Sequence, residues 1–278
     1  MHIFSVDVED WFHILDLAGA PDLVTWDRLP SRVERNFHRL LELFALSQAK
    51  VTCFFLGWIG ERFPDLVRTA AADGHEIASH GYAHRLVYEM TQADFREDAA
   101  HSRKLLEDIA GCEVVGYRAA GFSCTARIPW FYDELHAAGY RYDSSVFPAP
   151  RGHGGLPGAP QAPHQINTNR GTIVEFPITV LNLLGRPTCF FGGGYLRLFP
   201  MWLIRTMAKR VARQNRPVVF YVHPREIDPD HPRLSMSLQR RFRSYVNLRS
   251  TERKIRHILA DFPLTTFRDY LATYTLTT

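Results

Sequence analysis

The sequence predicts an α/β fold in which parallel strands and crossover helices build one barrel-like domain. Three observations carry this. Short β-rich apolar runs alternate with longer stretches of helical apolar spacing, several helical stretches close on a glycine, and polar residues capable of chemistry follow the predicted strands. A chain of 278 residues, 46% hydrophobic and 22% charged, can bury a large core, which excludes disordered and fibrous classes. With 33 Lys and Arg against 29 Asp and Glu, the net charge of +4 does not argue for a nucleic-acid binder.

Residues 2–8 alternate as a strand, and 31–47 carry an apolar stripe at helical spacing. Residues 51–56 read as a buried strand, 58–72 as a helix closed by Gly74, and 75–78 as a short strand. The rhythm continues with a helix over 92–110 ended by Gly111, a strand over 114–117 and a helix over 128–138 ended by Gly139. Residues 148–170 are rich in Pro and Gly and read as a long surface loop. Beyond it come a strand near 172–176, a glycine loop at Gly192–Gly194, a helix over 200–214 and a very apolar strand over 218–222. A helix beginning near Ser250, with good capping residues, precedes a short strand and helix at 263–273. About seven strands with intervening helices fit one barrel-like domain.

Cys53, Cys112, Cys124 and Cys189 are widely spaced and form no Cys-x-x-Cys pair, so they are expected to be reduced and structural. No apolar run reaches the ~20 residues that span a bilayer. Met1 leads directly into the alternating His2–Asp7 run, without a basic and then apolar leader, and a cytoplasmic location is expected.

Three polar clusters fall at C-terminal ends of predicted strands, where α/β folds place their sites. In Asp7-Val8-Glu9-Asp10-Trp11, carboxylates two apart on an extended chain point to one side. Taken alone, such a cluster is more often a loop of solvated acids. His80 and His84 stand four apart, a spacing that lets two imidazoles converge on one ion when the segment turns. His223 directly follows the most apolar strand. One carboxylate with two imidazoles leaves a divalent ion with open positions, the layout of a hydrolytic site.

These residues resemble the polysaccharide deacetylases of carbohydrate esterase family 4, the NodB-homology group. Ser5-Val6-Asp7 with Glu9 and Asp10 resembles the family's first motif, Ser79-His80 through His84 its second, Gly116-Tyr117-Arg118 its third, Tyr142-Asp143-Ser144 its fourth and Val222-His223-Pro224 its fifth. The Asp-Val-Glu-Asp-Trp-Phe form of the first motif, Gly192-Gly193-Gly194-Tyr195-Leu196-Arg197 and Tyr245-Val246-Asn247-Leu248-Arg249 resemble the subgroup found with bacterial exopolysaccharide gene clusters.

The resemblance implies a distorted (β/α)7-type barrel, with a catalytic domain over 1–225 and an extension over 226–278 packed on it. It implies a metal-dependent hydrolase that removes N-acetyl groups from amino sugars of a bacterial polysaccharide or its precursor, using a divalent ion, zinc being the first choice. Asp7 would be the general base, Arg118 its ion-pair partner, His80 and His84 two metal ligands, and His223 the general acid, oriented by Asp143. The family's consecutive aspartates are replaced here, so the third ligand is Glu9 or, if the chain turns, Asp10; Glu9 is preferred because it shares Asp7's side of the strand. Ala120 stands where the third motif usually has proline.

Trp11, Phe12, Phe122, Tyr195 and Arg197 are candidates to line a sugar groove, although most aromatics in such a domain are core. The segment 233–256 holds Arg233, Arg240, Arg241, Arg243, Arg249, Arg253, Lys254 and Arg256 against only Glu252. Its plain reading is a solvated helix face; the sharper one is peripheral contact with the inner membrane or a lipid-linked glycan. Two other functions stay open: a hydrolase of a small C–N substrate, as in allantoinase-like relatives, and a catalytically silent glycan-binding protein.

Overall fold

A computed structural model describes residues 1–15, 19–152, 154–183 and 185–274, so position 153 of the expected loop and 275–278 of the expected extension lie outside the described residues. The strands are β1 (His2–Val8), β2 (Thr52–Phe55), β3 (Glu76–Ser79), β4 (Gly116–Tyr117), β5 (Tyr142–Asp143), β6 (His164–Thr168), β7 (Gly171–Glu175), β8 (Val180–Leu183), β9 (Arg186–Cys189), β10 (Val219–Val222) and β11 (Leu264–Thr265). The helices are α1 (Leu23–Trp26), α2 (Val33–Leu46), α3 (Gly57–Arg62), α4 (Pro64–Ala72), α5 (Gln92–Ala110), α6 (Phe131–Ala137), α7 (Gly193–Leu198), α8 (Met201–Ala212), α9 (Leu238–Tyr245), α10 (Thr251–Asp261) and α11 (Phe267–Thr273).

One sheet runs β10-β1-β2-β3-β4-β5-β7-β6, with β11 also paired to β1. Every pairing in it is parallel except the β6–β7 hairpin. This is the expected α/β fold. Among the described residues the sheet does not close, since β6 and β10 form its ends. β1 is buried along its whole length, as a parallel strand covered on both faces must be. Val33, Phe37, Leu40, Leu41 and Phe44 form the buried stripe of α2, and α5 opens on a reciprocal Thr91–Asp94 capping box and closes at Gly111 in the left-handed conformation.

Four local expectations are corrected. The helix expected over 58–72 is two helices, because Phe63 precedes a proline, leaves the helical region, and Pro64 opens α4. The loop expected over 148–170 contains β6, which turns back on β7 with Ile166 opposite Ile173. The β8–β9 hairpin forms a separate antiparallel pair where no strand was expected. Gly192–Gly194 leads into α7 and is not a free loop, since α7 opens at Gly193.

Candidate active site

Because the sheet is parallel, its strands deliver their C-terminal ends to one rim, and the site is built there. Asp7 lies in β1 with Glu9 just beyond it; His80 follows β3, Arg118 follows β4 and His223 follows β10. These strands are consecutive neighbours apart from β2, which stands between β1 and β3.

Arg118 is fully buried and organises the floor. Its Nη1 donates to Asp7 Oδ1 at 2.5 Å and to Ser5 Oγ at 2.9 Å, Nη2 donates to Ser144 Oγ at 3.1 Å, and its guanidinium lies 4.1 Å from the Phe54 ring centroid. Asp7 is thereby buried with one oxygen engaged and Oδ2 left toward the site.

Glu9 Oε1 lies 3.2 Å from His80 Nε2 and 3.0 Å from His84 Nε2. The segment from His80 to His84 is a turn: Gly81 has φ +73 and His84 φ +52, a conformation that side chains other than glycine rarely take outside functional sites. Asp98 fastens the turn by accepting the Tyr82 backbone N–H. His80 Nδ1 donates to the Arg118 carbonyl at 2.7 Å, which fixes the ring and turns Nε2 toward Glu9. Burial raises the Glu9 carboxyl, but His84, His223 and His80 together hold it well below the usual carboxylate range. Burial pushes His84 below the ordinary imidazole value despite Glu9. One carboxylate and two imidazoles, all buried and with ligand atoms within 4.8 Å of one another, are a donor set that fits a divalent ion.

His223 Nε2 faces this group at 3.8 Å from Asp7 Oδ2 and 3.7 Å from Glu9 Oε1. Burial alone would lower its pKa, yet Glu9 and Glu226 raise it above the ordinary value. Its side chain is 14% exposed, the most open of the set, so the site faces solvent beside it.

Residues 22–142 match the family model described as polysaccharide deacetylase. Over these residues the chain is similar to polysaccharide deacetylases. Residues 144–272 match a domain of unknown function, DUF3473, so His223 of the site lies in that second region. The chain is 29% identical over 152 residues to a peptidoglycan deacetylase of Helicobacter pylori, covering 51% of this chain and 48% of the relative. It is 29% identical over 73 residues to a peptidoglycan-N-acetylglucosamine deacetylase of Bacillus cereus, covering 26% of each. The chain thus spans about half, or less, of the curated relatives it matches. Among solved structures, a probable polysaccharide deacetylase from Pseudomonas aeruginosa superposes with TM-score 0.62 at 17% identity, covering 96% of this chain and 88% of that one. An allantoinase superposes with TM-score 0.63 at 18% identity, covering 98% and 91%. At these identities both show the fold.

Several expected roles do not fit the geometry of the site. Asp10, the alternative ligand, turns away from His80 and His84: its Oδ2 accepts from Ser31 Oγ and from the backbone N–H groups of Arg32 and Val33, where it caps α2. Asp143, expected to orient His223, instead accepts from Ser145 Oγ at 2.5 Å and pairs with Glu175. Burial raises both carboxyls, and Asp143 pushes Glu175 well above its usual range. The carboxylate beside His223 is Glu226, with Oε2 at 3.5 Å from Nδ1. The sequence reading missed it, although a glutamate three residues after a histidine is one turn away.

Trp11 and Phe12 are core, Trp11 donating its indole N–H to the Pro30 carbonyl. Phe122 is buried against Phe147 and Tyr221, and Arg197 is buried in an ion pair with Glu226. Of the expected groove residues only Tyr195 is exposed. In the basic segment, Lys254 is buried with its ammonium on the carbonyls of Leu196, Arg197 and Phe199, Arg256 pairs with Glu252, and Arg233 stacks on Tyr245.

Proposed function

We propose that this chain is a metal-dependent N-deacetylase acting on amino sugars of a bacterial polysaccharide or its precursor. The observation that carries the reading is the facing of Asp7 Oδ2 and His223 Nε2 at 3.8 Å beside the Glu9–His80–His84 cluster. Glu9, His80 and His84 would hold the ion, zinc being the first choice for one carboxylate and two imidazoles. When bound, the ion supplies Lewis-acid polarisation of the amide carbonyl.

The remaining chemistry belongs to side chains. Arg118 occupies one Asp7 oxygen and leaves Oδ2 to take the proton of the attacking water. That water's oxygen joins the acetyl carbon. As the C–N bond breaks, His223 Nε2 gives its proton to the departing nitrogen, so acetate and a free amine result. The raised pKa of His223 suits this, since an acid must hold its proton until the step.

The likeness of the first motif, of Gly192–Arg197 and of Tyr245–Arg249 to the exopolysaccharide subgroup supports a substrate from exopolysaccharide biosynthesis. No helix among the described residues is long and apolar enough to cross a membrane. On α9, Leu238 is 84% and Phe242 56% exposed between exposed Arg241 and other cations, so in our reading this face rests on the anionic inner surface of the membrane from the cytoplasmic side. The domain reading follows from the same site: 1–225 carries the catalytic side chains and 226–278 packs on it.

The test is acetate release from N-acetylglucosamine oligomers by the metal-loaded chain. His84→Ala should lose both bound metal and acetate release, and undiminished release from metal-free protein would overturn the reading. Release from small amides alone would favour a small C–N substrate. Phe242→Ser with Arg241→Gln should weaken binding to vesicles containing anionic phospholipid in a salt-dependent way; unchanged binding would remove the membrane face.

A further inference from the structure

We propose that Glu226, locked in place by Arg197, positions His223 for proton delivery, and that this is the task of the region matching the domain of unknown function. The proposal rests on the deacetylase reading. One oxygen of Glu226 serves two groups of the same residue: Oε2 accepts the His223 backbone N–H at 3.1 Å and stands 3.5 Å from its ring Nδ1. The ring Nδ1, buried and without another hydrogen-bond partner, is thereby turned toward this oxygen, and Nε2 faces Asp7 and Glu9. The other oxygen accepts from Arg197 Nε at 2.9 Å, so the carboxylate cannot swing away.

Arg197 is itself pinned. Its Nη1 donates to the carbonyls of Ser244 and Val246 at 2.8 and 3.1 Å, and its Nη2 to that of Arg243 at 3.1 Å, at the end of α9. Gly194 makes the approach possible: a Cβ there would stand 2.7 Å from the Arg243 carbonyl oxygen. Glu226 is 3% exposed and Arg197 4%, and a buried ion pair of this kind gains little stability over an apolar pair of similar volume. Its position directly behind the proposed acid gives it a use that stability does not. Asp143, the alternative orienting group, is committed to Ser145 and Glu175.

The test compares Glu226→Gln, Glu226→Ala and Asp143→Asn in the full chain. Three readouts are taken: kcat and KM for acetate release, bound zinc, and the assigned ¹H–¹⁵N imidazole spectrum of His223. Glu226→Gln keeps the shape and one acceptor while turning the other into a donor, so it should retain zinc while kcat falls ~10–100-fold with KM little changed. Glu226→Ala should fall further. The His223 Nδ1–H correlation should move in Glu226→Gln and stay in Asp143→Asn. Unchanged kcat and spectrum in Glu226→Gln, or a His223 signal that moves only in Asp143→Asn, would overturn the proposal. If the wild type releases no acetate, the deacetylase reading fails, and the imidazole spectrum still decides whether Glu226 holds the ring.

Discussion

The two matched regions, 22–142 and 144–272, meet at one rim but hold their functional groups in different ways. On the first side, His80 and Arg118 follow directly from sheet registration: the His80 N–H bonds the Phe55 carbonyl and the Arg118 N–H the Ser79 carbonyl, so each strand passes its position to the next. On the second side α9 has no buried residue, and charged side chains do the holding, with Arg197 and Lys254 donating to carbonyls of other elements. Backbone registration fixes where the chain runs whatever side chain it carries, whereas a buried charge on either side depends on its own partners, because each cation satisfies several acceptors that water cannot reach.

The sharpest break of this comparison is Arg118→Met, which strands the buried Asp7 carboxylate and removes the donors to Ser5 and Ser144. A loss of ~3–5 kcal/mol by denaturant unfolding is expected. Glu9→Ala against Asp10→Ala separates adjacent carboxylates. The first should abolish metal binding, measured by calorimetry. The second should keep it and lower stability by ~1–2 kcal/mol, the range of a lost helix cap. Lys254→Met tests the second side: losing donors to three carbonyls should cost ~1–3 kcal/mol while bound metal stays unchanged.

The last check of the comparison is in pH. Burial lowers His2 and His75 to about 4, and each accepts a backbone N–H on Nδ1, from Val218 and Val51. Both sit below the unfolded value of ~6.5, so their contribution is complete above that pH and is lost as pH falls through about 4. Melting temperature should drop over this window. His75→Asn, which keeps an acceptor near Nδ1, should flatten the drop.

The expected roles that survived as contacts and those that did not differ in how far their partners lie along the chain. Asp7 and Glu9 share a side because strand alternation is local, and His80 and His84 converge because one turn joins them. Asp10, the alternative to Glu9, is claimed by Ser31 and the start of α2, which arrive from a later segment. Trp11 and Arg197 looked like surface recognition groups for the same reason, since Pro30 and Glu226 bury them only after the chain has folded back.

Periodicity, glycine stops and the order of motifs were enough, from sequence alone, to set the α/β class, the placement of most strands and the ligand-type residues, because each depends on neighbours within a few positions. Tertiary structure decided which of two adjacent carboxylates joins the imidazoles, and that Glu226, not Asp143, stands behind His223. Those choices are made by crossover connections that bring residues from separate strands and helices to one rim. No local pattern records which side chain a distant segment will cover.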